Sequence, residues 1–251
     1  MLTIRKEQVD SLKSIPTTRF QEEMIEHIKE YFPKQYEILG KDKTVNAIQY
    51  TLERAKSYKF TTKRNACLYI GLAFMLGSNF DLDPQYPWAT NILSDISIYH
   101  PVKIIDQLDQ AALTFLDQTA GINDENFQLS LLRFKNVLAM EYTESSSGRI
   151  GTDILNLFET NYPQKYAIVG AENLKLLIVQ GIQSANYYKL HGNRGTTLYI
   201  ILSYLFGAGC DTDPLFPWIS QILNDDKYQI PEQKTDQLNI KAIIYINKLL
   251  A

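Results

Sequence analysis

Apolar positions along this chain recur at helical spacing. Ile48, Leu52 and Ala55 stand at i, i+4 and i+7, and Tyr69, Leu72 and Leu76 extend the same rhythm. Ile178, Ile182 and Ala185, then Tyr199, Leu202 and Phe206, repeat those intervals further on. Such spacing places one apolar stripe along a helix facing a core. No run shows sustained two-residue alternation bounded by turn dipeptides, so no strands are expected. The pattern predicts an all-α protein of antiparallel helices, mostly about 10 to 18 residues long. Gly40, Gly77, Gly170 and Gly207 follow the periodic runs and are read as left-handed C-terminal caps, which a residue without Cβ adopts easily.

The two sets of positions are related by one fixed offset of 130 residues, without gaps. FPKQYEILG at Phe32 lies over YPQKYAIVG at Tyr162, and RNACLYIGLAFMLG at Arg64 lies over RGTTLYIILSYLFG at Arg194. From Phe32 to Asp95, 22 of 64 positions are identical to their mates, too many for two unrelated helical patterns. A repeat this long predicts two pseudo-symmetric helical lobes rather than a solenoid of short units. The linker-like TESSSGRIG, Thr143 to Gly151, falls inside the second unit, because LLRFKNVLAM at Leu131 also lies over the opening MLTIRKEQVD. The boundary is therefore placed at TAGINDEN, giving lobes of residues 1–122 and 123–251. Their expected packing is an internal twofold, resembling an isologous dimer within a monomeric chain.

The most distinctive repeated phrase is FDLDPQYPWATNIL at Phe80, echoed by CDTDPLFPWISQIL at Cys210. Asp81 and Asp83 stand like the first two ligands of an EF-hand loop, but Tyr86 and Ile92 occupy the places of its glycine and bidentate glutamate, as Phe216 and Ile222 do in the second copy. No calcium site is expected. His27, His100 and His191 are scattered singly, so no zinc site is expected either. An aspartate before proline suits a helix start: its carboxylate accepts orphan N–H groups, and proline has the φ of the first helical position and no N–H to leave unpaired. Asp83-Pro84 and Asp213-Pro214 are accordingly read as caps, and Trp88 and Trp218 as anchors on the inward helix face. Asp81 and Asp211 are not needed for that cap. With the matched Arg64 and Arg194 they form either a structural ion pair or a pair of exposed partner-binding residues.

Composition narrows the function classes. The 251 residues are 45% hydrophobic and 21% charged, with a net charge of −3. That gives ample material for a core and no basic face for nucleic acid. The opening residues mix charged and apolar types and lack a secretory signal pattern. The apolar run from Thr196 is too short and too glycine-broken to cross a bilayer. A cytoplasmic location without membrane attachment is expected. Cys67 and Cys210 are isolated in apolar surroundings and are read as small core residues. No nucleophile elbow or phosphate-cradling loop appears, and GNRGTT at Gly192 lacks the Lys-Ser/Thr ending of a P-loop. No cofactor and no catalytic constellation are expected. Sixteen tyrosines offer large contact area with a polar tip, a composition favoured at binding surfaces.

Taken in order, F/Y-P-x-x-Y-x-x-x-G, R-x-x-x-L-Y-I and D-x-D-P-x-x-P-W-x-x-x-I-L resemble a family of uncharacterised bacterial helical proteins often encoded beside type VI secretion components. That family carries the pattern once as a rule, so the second copy here is a departure in which internal pairing would replace a homodimer. The resemblance supplies no catalytic residues. It implies a neighbourhood of toxic effectors and spike components. The expected function is thus a non-enzymatic interaction protein that binds a secreted effector, as an immunity protein or as an escort. Two alternatives are a hydrolase using the Asp-x-Asp turn with Arg64, and a structural scaffold.

Overall fold

The computed structural model describes residues 17–98, 100–140, 150–190, 192–228 and 230–251. These residues are all-α, with thirteen α-helices joined by short turns. The chain opens with α1 (Thr17–Tyr31), α2 (Pro33–Leu39), α3 (Lys41–Ser57) and α4 (Lys63–Leu76). A 3₁₀ turn at Phe80–Leu82 leads to α5 (Pro87–Ser94) and the long α6 (Pro101–Ala120). After a second such turn come α7 (Glu125–Ala139), α8 (Ile150–Asn161), α9 (Pro163–Val169) and α10 (Ala171–Tyr187). The chain closes with α11 (Gly192–Phe206), α12 (Pro217–Leu223) and α13 (Pro231–Leu250). The linker-like residues 143–149, the opening residues 1–16 and His191 lie outside the described residues. No described helix is long and apolar enough to cross a membrane.

Helix lengths run from seven residues in α2, α9 and α12 to twenty in α6 and α13, a wider range than the periodicity suggests. The short ones are bounded chemically. Proline opens each of the three at its first position, where no N–H is needed. A glycine with positive φ closes α2 and α9, at Gly40 and Gly170. Lys59 and Lys189 take left-handed backbone after α3 and α10, with φ of 63° and 59°. Their identity across the repeat thus coincides with a shared turn that places both side chains in solvent.

The expected inward positions are buried: Ile48, Leu52, Ala55, Tyr69, Leu72 and Leu76, then Ile178, Ala185, Tyr199, Leu202 and Phe206. Ile182 is partly buried against the same core. Cys210 is fully buried and Cys67 half-buried. One apolar cluster runs through both halves of the sequence, joining Tyr69, Phe80 and Ile105 to Phe158, Tyr204 and Ile246. A smaller one gathers Phe20, Ile28, Ile48 and Phe74, and takes Leu215 from the distant α12 turn. Helices also cross the halves: α9 packs on α6, α2 packs on α13, and α7 packs on both α6 and α13. At the centre of the larger cluster the Phe158 and Tyr204 rings stack at 3.8 Å. Burying aromatic rings of this size supplies much of the apolar driving force for such a fold.

Candidate functional site

The two aspartate turns meet. Asp83 Oδ1 accepts the N–H of Gln85 at 2.8 Å, and Oδ2 accepts the N–H of Ala208 at 2.6 Å and the Gln85 side-chain amide at 3.0 Å. Asp213 does the same in return: Oδ1 accepts from Leu215 N at 2.9 Å and Oδ2 from Ser78 N at 2.7 Å. Both carboxylates are buried. Burial pushes each above the usual carboxylate range, while the N–H donors pull it back down. These turns are not helix caps. Helices α5 and α12 begin three residues later, at Pro87 and Pro217, and have Tyr86 and Phe216 at the N-cap. The carboxylate of Asp83 is spent on Gln85 and on a distant turn, so the chain closes a tight turn first, with Tyr86 N donating to Asp83 O at 2.9 Å. The second proline, not the first, then sets the helical φ.

Between the turns the backbones approach closely at Gly77 and Gly207, whose φ values are 101° and 100°. A Cβ on Gly77 would lie 2.9 Å from the Phe206 carbonyl oxygen, and one on Gly207 would lie 3.2 Å from that of Leu76. Only glycine supplies both the conformation and the space. Beside the latch lies Lys165, buried, its Nζ donating to the Tyr204 carbonyl at 2.5 Å and lying 4.7 Å from the Tyr204 ring centroid. Burial lowers its pKa to about 8, against the upward pull of Asp83.

Asp81 and Asp211 have different partners from those expected of them. Arg54 Nη2 reaches the two oxygens of Asp81 at 2.5 and 2.6 Å, and the Tyr58 hydroxyl donates at 2.6 Å. At Asp211 the cation is missing, because the position matching Arg54 is Ser184. Two hydroxyls serve instead, Tyr188 at 2.7 Å and Tyr199 at 2.6 Å. The Tyr69 hydroxyl, at the place matching Tyr199, is buried without a hydrogen-bond partner. Arg64 and Arg194 pair with Asp106 at 2.7 Å and Asp236 at 2.5 Å, in solvent. The Arg64–Asp81 and Arg194–Asp211 pairings therefore do not form. Arg64 sits in the first turn of α4 and Asp81 follows its end, so about 18 Å of helix rise separates them.

Trp88 and Trp218 pack partly buried against the larger core cluster, each beside an aromatic partner: Phe115 at 6.3 Å and Tyr245 at 5.7 Å between ring centroids. Pro84 and Pro214, each directly after a latch aspartate, are half-buried. Among the described residues, no group of three or more His, Cys, Asp or Glu side chains is placed to hold a metal ion.

Two surface features remain, and both differ between the halves. On α10, Leu176, Val179 and Tyr187 are 56%, 52% and 78% exposed, where the matched α3 positions are Asn46, Gln49 and Ser57. Between α2, α12 and α13 runs a groove of about 290 Å³ with Leu39, Leu215, Trp218, Ile222 and Tyr245 in its walls. Lys43, Lys241 and Lys248 stand around it. Periodicity alone misses both features, since they lie on faces that do not build the core; comparing the two copies position by position locates them. Arg54 escapes that comparison because its mate is serine. Set against known proteins, the chain matches no family model, no curated protein and no solved structure.

Proposed function

We propose that the chain is a tandem duplication of one helical unit, residues 1–122 and 123–251, packed about an internal pseudo-twofold, and that it acts as a non-enzymatic protein-binding module. Three pairs of helices with bounds exactly 130 residues apart support the duplication: α2 with α9, α3 with α10, and α6 with α13. So do the reciprocal bonds of Asp83 and Asp213, which are what a twofold contact would give. The partner is a secreted toxic effector or a spike component, following the family resemblance, and the role is immunity or escort in the cytoplasm.

The observation that carries the binding reading is the α10 face. Leu176 and Tyr187 fall on one side of the helix, with Val179 adjoining them, and they replace residues that are polar on α3. Exposed apolar residues gathered on one helix face mark an interaction surface. The hydrolase alternative loses ground, because the acids it would use are held by backbone N–H groups, Arg54 and tyrosine hydroxyls inside the fold.

Co-purification with the effector encoded beside the gene tests this. Leu176→Glu with Val179→Glu is expected to abolish capture, while Asn46→Glu with Gln49→Glu leaves it intact. Growth rescue in cells making that effector separates immunity from escort. Failure to capture any effector or spike component overturns the reading.

A further inference from the structure

We propose that the groove between α2, α12 and α13 receives an acidic amphipathic helix of a protein partner; the assignment rests on the reading of this chain as a protein-binding module and names the chemistry of what it binds. The floor is apolar and sizeable: Leu39, Leu215 and Ile222 line it, and Ile244 is 44% exposed at its side. A volume of about 290 Å³ is at the small end for a binding pocket, enough for one or two apolar side chains rather than a large ligand.

Charge selects the occupant. Lys43, Lys241 and Lys248 border the groove, and none of the three forms a salt bridge among the described residues. At the matching places of the other half stand Asn173, Ala111 and Gln118, all neutral. The matched interior there is also occupied: Gln85, mate of Leu215, is buried and donates to the Ser203 carbonyl, and Lys165 lies over the Tyr86 ring. The cationic rim therefore belongs to one side only, which predicts one site per chain.

Spacing selects its form. Lys241 and Lys248 are seven residues apart on α13, about 10.5 Å along the axis, with Ile244 and Tyr245 between them. A single carboxylate or phosphate headgroup cannot neutralise both ends of that span together with Lys43 on another helix. A docked helix with acids at i and i+7 and apolar residues at i+3 and i+4 reproduces the span, anchoring its apolar face in the groove.

The test uses the full chain and a fluorescein-labelled helical peptide built on the heptad Glu-Ala-Ala-Leu-Leu-Ala-Gln, followed by anisotropy. Binding at one site per chain is expected, weakening with added salt. Lys241→Glu with Lys248→Glu should weaken it about tenfold or more, as should Ile244→Glu, with circular dichroism unchanged since all three side chains are exposed. Equal binding of the same heptad with Lys in place of Glu overturns the proposal. So does indifference to both variants, and so does failure of the peptide to bind while dodecanoate quenches Trp218. The peptide titration needs no natural partner. Its failure therefore removes the groove assignment alone, whereas failed effector capture removes the function reading alone.

Discussion

Asp83 and Ala208 are 125 residues apart in sequence, yet the carboxylate of the first accepts the backbone N–H of the second at 2.6 Å. Asp213 returns the bond to Ser78 at 2.7 Å. Two buried anions are thus held by main-chain donors of the opposite turn, and the halves are joined where glycine lets the backbones touch.

Replacing Asp83 by Asn should cost about 2–4 kcal/mol of stability, since an amide nitrogen would face a buried N–H donor that then has no acceptor. Asp213→Asn should cost less, because Asp83 accepts three bonds from protein N–H groups and Asp213 two. Urea denaturation midpoints of the two variants check the order. Equal and small losses would remove the latch from the account of stability.

Gly77→Ala and Gly40→Ala make a controlled pair. Both positions have positive φ, at 101° and 74°, but a Cβ at Gly40 meets nothing within 4 Å whereas at Gly77 it meets the Phe206 carbonyl oxygen at 2.9 Å. Gly40→Ala should cost about 1–2 kcal/mol from backbone conformation alone. Gly77→Ala should cost at least about 1 kcal/mol more, because backbone must shift to admit the methyl group. Thermal unfolding of both variants measures the difference.

Arg54 and Arg64 should behave oppositely on removal. Asp81 is 1% exposed, so Arg54→Ala leaves a buried carboxylate with only the Tyr58 hydroxyl, at a cost of about 2–4 kcal/mol. Arg64→Ala removes an exposed pair with Asp106 and should cost under about 0.5 kcal/mol. Denaturant titration of both decides it.

Lys165 gives a pH signature. Its pKa in the folded chain, about 8, lies below the ordinary 10.5 of the unfolded chain. Between these values the unfolded state binds the extra proton, so this lysine's contribution to stability grows as pH rises from about 8 towards 10.5. The sign is opposite for Cys210 and Tyr199, whose pKa values burial pushes upward: their unfolded forms ionise first, and their contribution falls as pH rises. The lysine is isolated by comparison with Lys165→Met. Wild-type stability relative to that variant should increase by up to about 3 kcal/mol across the window, read from urea midpoints at successive pH values. A flat difference would overturn the assignment.

What the sequence determined by itself is local or self-referential. Helical spacing placed Ile48, Tyr69 and Leu202 inward, because a residue's face on a helix follows from its neighbours within two turns. Glycines marked helix ends for the same reason, and the offset of 130 residues required only comparison of the chain with itself. The role of Asp83 depended on something else. From sequence, Asp-Pro reads as a cap because the first available donors are the next N–H groups; folding brings the Ala208 N–H nearer to one oxygen, and the helix start moves to Pro87. Arg64 matched across copies and Arg54 did not, yet Arg54 holds Asp81, because contact across helices is decided by which turns pack together and not by which residues recur. The lysine rim likewise exists only once α2 of the first half lies against α13 of the second. The tertiary structure alone decided those partners, since each is a contact between segments that the chain's local physics leaves independent.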